Sequence, residues 1–133
     1  MQRHILKSKA LPAPRFRYSP VVQAGPFVFI SGMVPLDPAT GQLVAGGAFE
    51  QSAQVLANLK ALADEMYWSL EQLLVARIFC SDFADFAEIN RAWEAVFDGI
   101  EPPARTTVGV NALPLGARVE MEFQFVVDDT ARA

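Results

Sequence analysis

"PPARTTVGVNALPLGARVEME", residues 102–122, decides how the rest of the chain is read. From its end onward, Val119, Met121, Phe123, Phe125 and Val127 alternate with Glu120, Glu122, Gln124 and Val126. A period of two predicts a strand with one face in a core and one polar face. Just upstream, Thr106, Val108 and Val110 alternate with Arg105, Thr107 and Gly109, which predicts a second strand. With the Val and Phe sets both turned toward helices, Arg105, Thr107, Glu120 and Glu122 are expected together on the other face. The short "NALPLGA" connection would then join neighbouring strands. Two readings of the charges follow. An exposed cross-strand ion pair contributes little. Alternatively, the rigid arginine fork holds a carboxylate bidentately while a glutamate positions or activates water. Spacing alone leaves both open.

Working outward, Phe86, Ile89, Trp93, Val96 and Phe97 mark an amphipathic helix, with Ser81 or Asp82 as its expected cap. Gly99 and Pro102-Pro103 close it. "LLVARIFC", residues 73–80, reads as a strand buried on both faces or nearly so. Phe49, Ala53, Leu56, Leu59, Ala63 and Met66 step by three or four, predicting a helix from Ala48 to about Met66. "VFISG", ending at Gly32, is a strand, and "PLDPATGQL" a turn-rich connection without phosphate-loop spacing. Residues 3–9 suit an edge strand broken by "LPAPR". Strands then helices in this order predict an α+β domain, both helices on one face of a mixed sheet.

The chain of 133 residues, 52% hydrophobic and 20% charged, has the size and composition of a single globular domain over 1–133. Its net charge of −4 does not favour polyanions. Arg3, Lys7, Lys9, Arg15 and Arg17 do cluster before the first acid, Asp37. They suit either a basic arm for RNA or a membrane, or the outward positions of an N-terminal strand; interruption by Leu, Pro, Phe and Tyr favours the strand. One cysteine, Cys80, excludes a disulfide framework and a multi-Cys metal site. With His4 as the sole histidine, a Ser/His/Asp or Cys/His triad is disfavoured. No run is long enough to span a bilayer and no signal-peptide pattern opens the chain, so a cytoplasmic location is expected.

"YSPVVQAG", "VFISGMVPLDPATG", "DFAEINRAWEAVF" and the opening stretch together resemble the RidA/YjgF family of reactive-intermediate imine deaminases, from about Tyr18 to Val127. The family also carries an older L-PSP endoribonuclease label. The resemblance implies a chorismate-mutase-like fold: a six-stranded mixed sheet with two helices on one face, assembled as a homotrimer with sites between subunits. It implies hydrolysis of 2-imino acids or their enamine tautomers to 2-oxo acids and ammonia, without metal or organic cofactor. By matching motif, Arg105 would bind the substrate carboxylate and Glu120 would handle the water. Tyr18, Ser31, Asn90 and Thr107 would line the cleft. Other outcomes are a non-catalytic trimer binding small carboxylates, an aminoacrylate or aminomuconate deaminase, and the less favoured ribonuclease. Three departures stand out: Thr107, where a cysteine is common; "EMYWS", where the family usually has a glycine-containing turn; and a short connection from Asn90 to Arg105.

Overall fold

The computed structural model describes residues 2–128; Met1 and residues 129–133 of the expected domain lie outside the described residues. Six strands form one sheet: β1 (Arg3–Ile5), β2 (Val21–Ala24), β3 (Phe27–Met33), β4 (Leu73–Cys80), β5 (Ala104–Gly109) and β6 (Val119–Val126). Their spatial order is β1-β2-β3-β6-β4-β5. All pairs are antiparallel except β4 with β5. Two helices, α1 (Ala48–Met66) and α2 (Phe86–Val96), provide the second layer.

The α1 stripe buries Val55, Leu56, Leu59 and Leu62 against the sheet, each contributing about 1.5–3 kcal/mol by leaving water. At its start, the Glu50 carboxylate accepts a hydrogen bond from the Gly47 N–H at 2.8 Å. At its end, Tyr67 takes the left-handed conformation, φ 60°, usual for a glycine cap. The following Trp68 turns into the core and packs on Phe125 with ring centroids 5.3 Å apart. On β6, Val119, Met121, Phe123 and Phe125 are all buried, as the alternation requires.

Four expectations need correction. The edge strand expected over residues 3–9 ends at Ile5, leaving the chain free to cross to Glu65 through Ser8 and Lys9, and the pattern misses the short β2, whose four residues offer too little alternation. Asp82 does cap, but it accepts from the Ala84 N–H of a short 3-10 turn, Phe83–Asp85, which precedes α2. β4 is not buried on both faces, since Leu74 and Arg77 are exposed.

The fourth concerns the opening stretch itself. β5 and β6 are not neighbours: β6 inserts between β3 and β4, and β5 lies outside β4 at the sheet edge. The connection between them rounds the end of β4, where the Val110 N–H donates to Cys80 O at 2.8 Å. There the Ser81 N–H also donates to Arg118 O at 3.1 Å. β5 is also in the opposite phase. Arg105 and Thr107 pair with the buried Ala76 and Ile78, so they face the helices. Glu120 and Glu122 pair with Phe79 and Arg77 on the other side. Arg105 and Glu120 therefore occupy opposite faces of the sheet, because a one-residue change of phase reverses every side chain.

Candidate functional site

The Glu120 half of the site begins at an irregularity in β3. Ile30 pairs with Phe123 and Met33 with Met121, so β3 carries one extra residue at Ser31-Gly32. The Ser31 N–H donates to Pro20 O at 2.9 Å, and its hydroxyl donates to Ser19 O at 2.8 Å. Serine oxygen keeps acceptor capacity after donating its one proton. Gly32 leaves room for the neighbouring acid: a Cβ there would lie 2.7 Å from Glu120 Oε2.

These residues line a cavity of about 610 Å³. Glu120 and Arg15 are its charged residues; Tyr18, Ser31 and Asn58 supply other polar groups. The segment from Leu11 to Tyr18 forms one wall. It is pinned where the Glu65 carboxylate accepts from the Ser8 hydroxyl at 2.6 Å and the Lys9 N–H at 2.7 Å. Those hydrogen bonds lower the Glu65 pKa. Arg15 Nη2 donates to Gly41 O at 2.6 Å. Tyr18 is half exposed at the cavity. Burial, and then the negative charge of Glu122, push the Glu120 pKa up, the direction that suits a carboxylate taking up and returning a proton.

The Arg105 half lies under α2. Its guanidinium carbon sits 5.2 Å from the Trp93 ring centroid and 5.7 Å from that of Phe86. Aromatic faces attract a cation at such distances. Burial lowers the Arg105 pKa while Glu94 opposes that shift; an arginine stays charged nonetheless. Asn90 follows Phe86 by four residues and precedes Trp93 by three, so it shares their stripe on α2. The buried Thr107 Oγ1 on β5 has no hydrogen-bond partner. Sequence reasoning missed the aromatic seat of Arg105, the part of Arg15 and the clearance at Gly32. The glycine ending "VFISG" was the one signal available for the last.

Thus the six expected residues separate into Tyr18, Ser31 and Glu120 around the cavity, Arg105 and Thr107 on the helix-facing side of β5, and Asn90 on α2. Among the described residues, no group of three His, Cys, Asp or Glu side chains is placed to hold a metal. No helix among them is long and apolar enough to cross a membrane.

An α+β sheet of this order with a split polar site defines the class; comparison with known proteins gives the family. Residues 8–127 match the family model described as Endoribonuclease L-PSP. A mouse protein named 2-iminobutanoate/2-iminopropanoate deaminase is 36% identical over 120 residues, covering 90% of this chain and 88% of that one. A Yersinia pestis structure described as a Rid family protein of unknown function superposes with TM-score 0.89 at 30% identity, covering 95% and 100% of the two chains. E. coli TdcF with bound serine superposes with TM-score 0.86 at 30% identity, covering 92% and 98%. The chain belongs to the RidA/YjgF family.

Proposed function

We propose that this single domain hydrolyses reactive 2-imino or enamine acids to 2-oxo acids and ammonia, acting as a cytoplasmic homotrimer. The observation carrying the reading is the split of the charges. Arg105 and Glu120 cannot meet within one chain, because they leave the sheet on opposite faces. Each half is open for a neighbouring copy to complete. Support for assembly comes from the sheet face opposite the helices, where Phe27 is 42% and Phe29 49% exposed, with Leu74 and Val108 also uncovered. Apolar surface of this kind marks an interaction site.

In the assembled cleft, Arg105 of one subunit holds the substrate carboxylate, with Asn90 and Thr107 beside it. Glu120 of the next accepts a proton from water as the oxygen attacks the C=N carbon. That proton passes to the imine nitrogen to give the carbinolamine; Glu120 then takes the carbinolamine hydroxyl proton and delivers it to nitrogen as the C–N bond breaks, so both water protons leave in ammonia and a 2-oxo acid remains. An imine carbon is already electrophilic, so positioning supplies much of the acceleration, and the proposal uses neither metal nor organic cofactor. The mouse relative's name and the family match support this chemistry.

The test is ammonia release from freshly generated 2-iminobutanoate by wild type, Arg105→Ala and Glu120→Ala. Both variants should be inactive alone. Refolded together at equal amounts, they should regain about one quarter of wild-type activity, since sites built from two subunits reassort at random. No recovery would refute the shared site. A second reading, a trimer that binds small carboxylates without turnover, is favoured by the serine in the E. coli structure. Ligand binding lost in Arg105→Ala, with no ammonia formed by wild type, would select it. An aminoacrylate or aminomuconate deaminase would show in the choice of substrate, and ribonuclease activity is disfavoured by the net charge of −4.

A further inference from the structure

Arg118, just before β6, ties its own segment to three others. Its N–H donates to the Gln51 side chain of α1 at 2.8 Å, and its carbonyl accepts from the Ser81 N–H just beyond β4 at 3.1 Å. Its guanidinium grips Asp85 with two parallel hydrogen bonds, Nε to Oδ2 and Nη2 to Oδ1, both at 2.9 Å. Such a fork fixes direction as well as distance. Asp85 stands at the N-cap of α2. An aspartate there ordinarily accepts from the first free N–H groups of the helix, yet the Asp85 side chain makes no capping hydrogen bond. Both of its oxygens go to Arg118 instead. The next residue, Phe86, has its ring 5.7 Å from the Arg105 guanidinium and stacks on Phe83 with centroids 5.0 Å apart. One covalent step therefore separates the clamp from the aromatic seat of Arg105.

We propose that Arg118 is a positioning residue for Arg105 of the same chain: by holding Asp85 it fixes the first turn of α2, and with it the Phe86 ring, against the guanidinium that receives the substrate carboxylate. Arg118 is only two residues from Glu120, but β6 is held on both sides by β3 and β4. The edge strand β5 has one neighbour, so its arginine depends more on the helix above it. The kinetic consequence rests on the deaminase reading; the seating of Arg105 against Phe86 does not.

The experiment breaks the clamp from either end, with Arg118→Met and with Asp85→Asn. Each should raise KM for 2-iminobutanoate about tenfold, within what residues sharing one hydrogen-bonded network exchange, and leave kcat nearly unchanged. Arg118→Lys keeps the charge but loses the fork, so it should fall between. Mixed trimers assign the effect to one half. Arg118→Met placed on the Glu120→Ala chain, which supplies Arg105 to the working site, should raise KM; placed on the Arg105→Ala chain it should not. Independently of turnover, NMR follows the Arg105 Nε–H, whose resonance is assigned by its loss in Arg105→Ala and displaced by the rings of Phe86 and Trp93. In both clamp variants it should move toward the position of a free arginine. An unmoved resonance overturns the proposal whatever KM does, as does an unchanged KM or a rise that follows the Arg105→Ala chain. If the mixture regains nothing, the shared site falls and the clamp is judged on the uniform variants. If no imine is turned over at all, the deaminase reading falls and the resonance alone decides: moved, the positioning role stands; unmoved, it falls.

Discussion

A methyl group added at Gly32 would sit 2.7 Å from Oε2 and 2.9 Å from Cδ of Glu120. Unstrained contacts between such atoms need about 3.5–4.0 Å, so the carboxylate must retreat by about 1 Å. Gly32 is not among the residues with positive φ, so alanine is tolerated by the backbone. Its lower entropy in the unfolded chain offsets part of the crowding, by about 0.4–1 kcal/mol. The atoms that must move are the far end of one flexible side chain. Gly32→Ala should therefore change stability by no more than about 1 kcal/mol. A misplacement of this size near reacting atoms can cost about 10²-fold in rate. The assay is ammonia release from 2-iminobutanoate, run beside thermal unfolding of the same samples. In thermal unfolding, the double variant with Glu120→Ala should be free of the crowding cost of Gly32→Ala, because the contacting carboxylate is gone and coupled residues are not additive. Wild-type kcat/KM in Gly32→Ala, or full additivity in the double variant, would refute the role given to the Glu120 carboxylate.

Glu120 has its folded-state pKa raised, so the protonated form favours folding; this contribution is full in acid and lost as pH rises through the folded pKa. Glu120→Gln should gain stability over wild type toward neutral pH and lose that advantage in acid, as read from urea midpoints. Tyr67, 95% exposed in a left-handed cap, should be better as glycine; Tyr67→Gly is expected to stabilise by about 0.5–1 kcal/mol in denaturant titration, the relieved strain less the glycine entropy. Phe29→Asp, on the uncovered sheet face, should shift sedimentation from the proposed trimer to monomer while the far-UV spectrum is retained. Glu65→Ala removes the acceptor of the Ser8 and Lys9 hydrogen bonds and should speed tryptic cleavage at Arg15 and Arg17 several-fold, as local opening frees the segment.

Strong local periodicity made much of the fold legible. The α1 stripe placed that helix within the bounds found, Ala48–Met66. The alternation of β6 identified its buried set because a central strand with one covered face has one workable phase. β5 offered no such guarantee. On an edge strand, Thr, Val and Arg can stand on either face, and the pattern alone predicts the valine set inward. It lies outward because α2 overhangs the edge with Phe86 and Trp93, and those rings accept the guanidinium. The candidate residues were named through family resemblance, whereas their grouping into two halves depended on pairing between distant strands.

What the sequence by itself determined was local: two amphipathic helices, the alternating β6, and the presence of an arginine and a glutamate whose roles spacing left open. Side-chain periodicity and hydrogen-bonding capacity belong to the residues and travel with them. Only the tertiary structure decided that β6 enters between β3 and β4, and that β5 turns Arg105 beneath α2. It likewise placed Glu120 over Gly32, beside a chamber walled by residues from Leu11 to Leu115. Strand order and phase are set by which surfaces are covered by distant parts of the chain, and no local pattern records that.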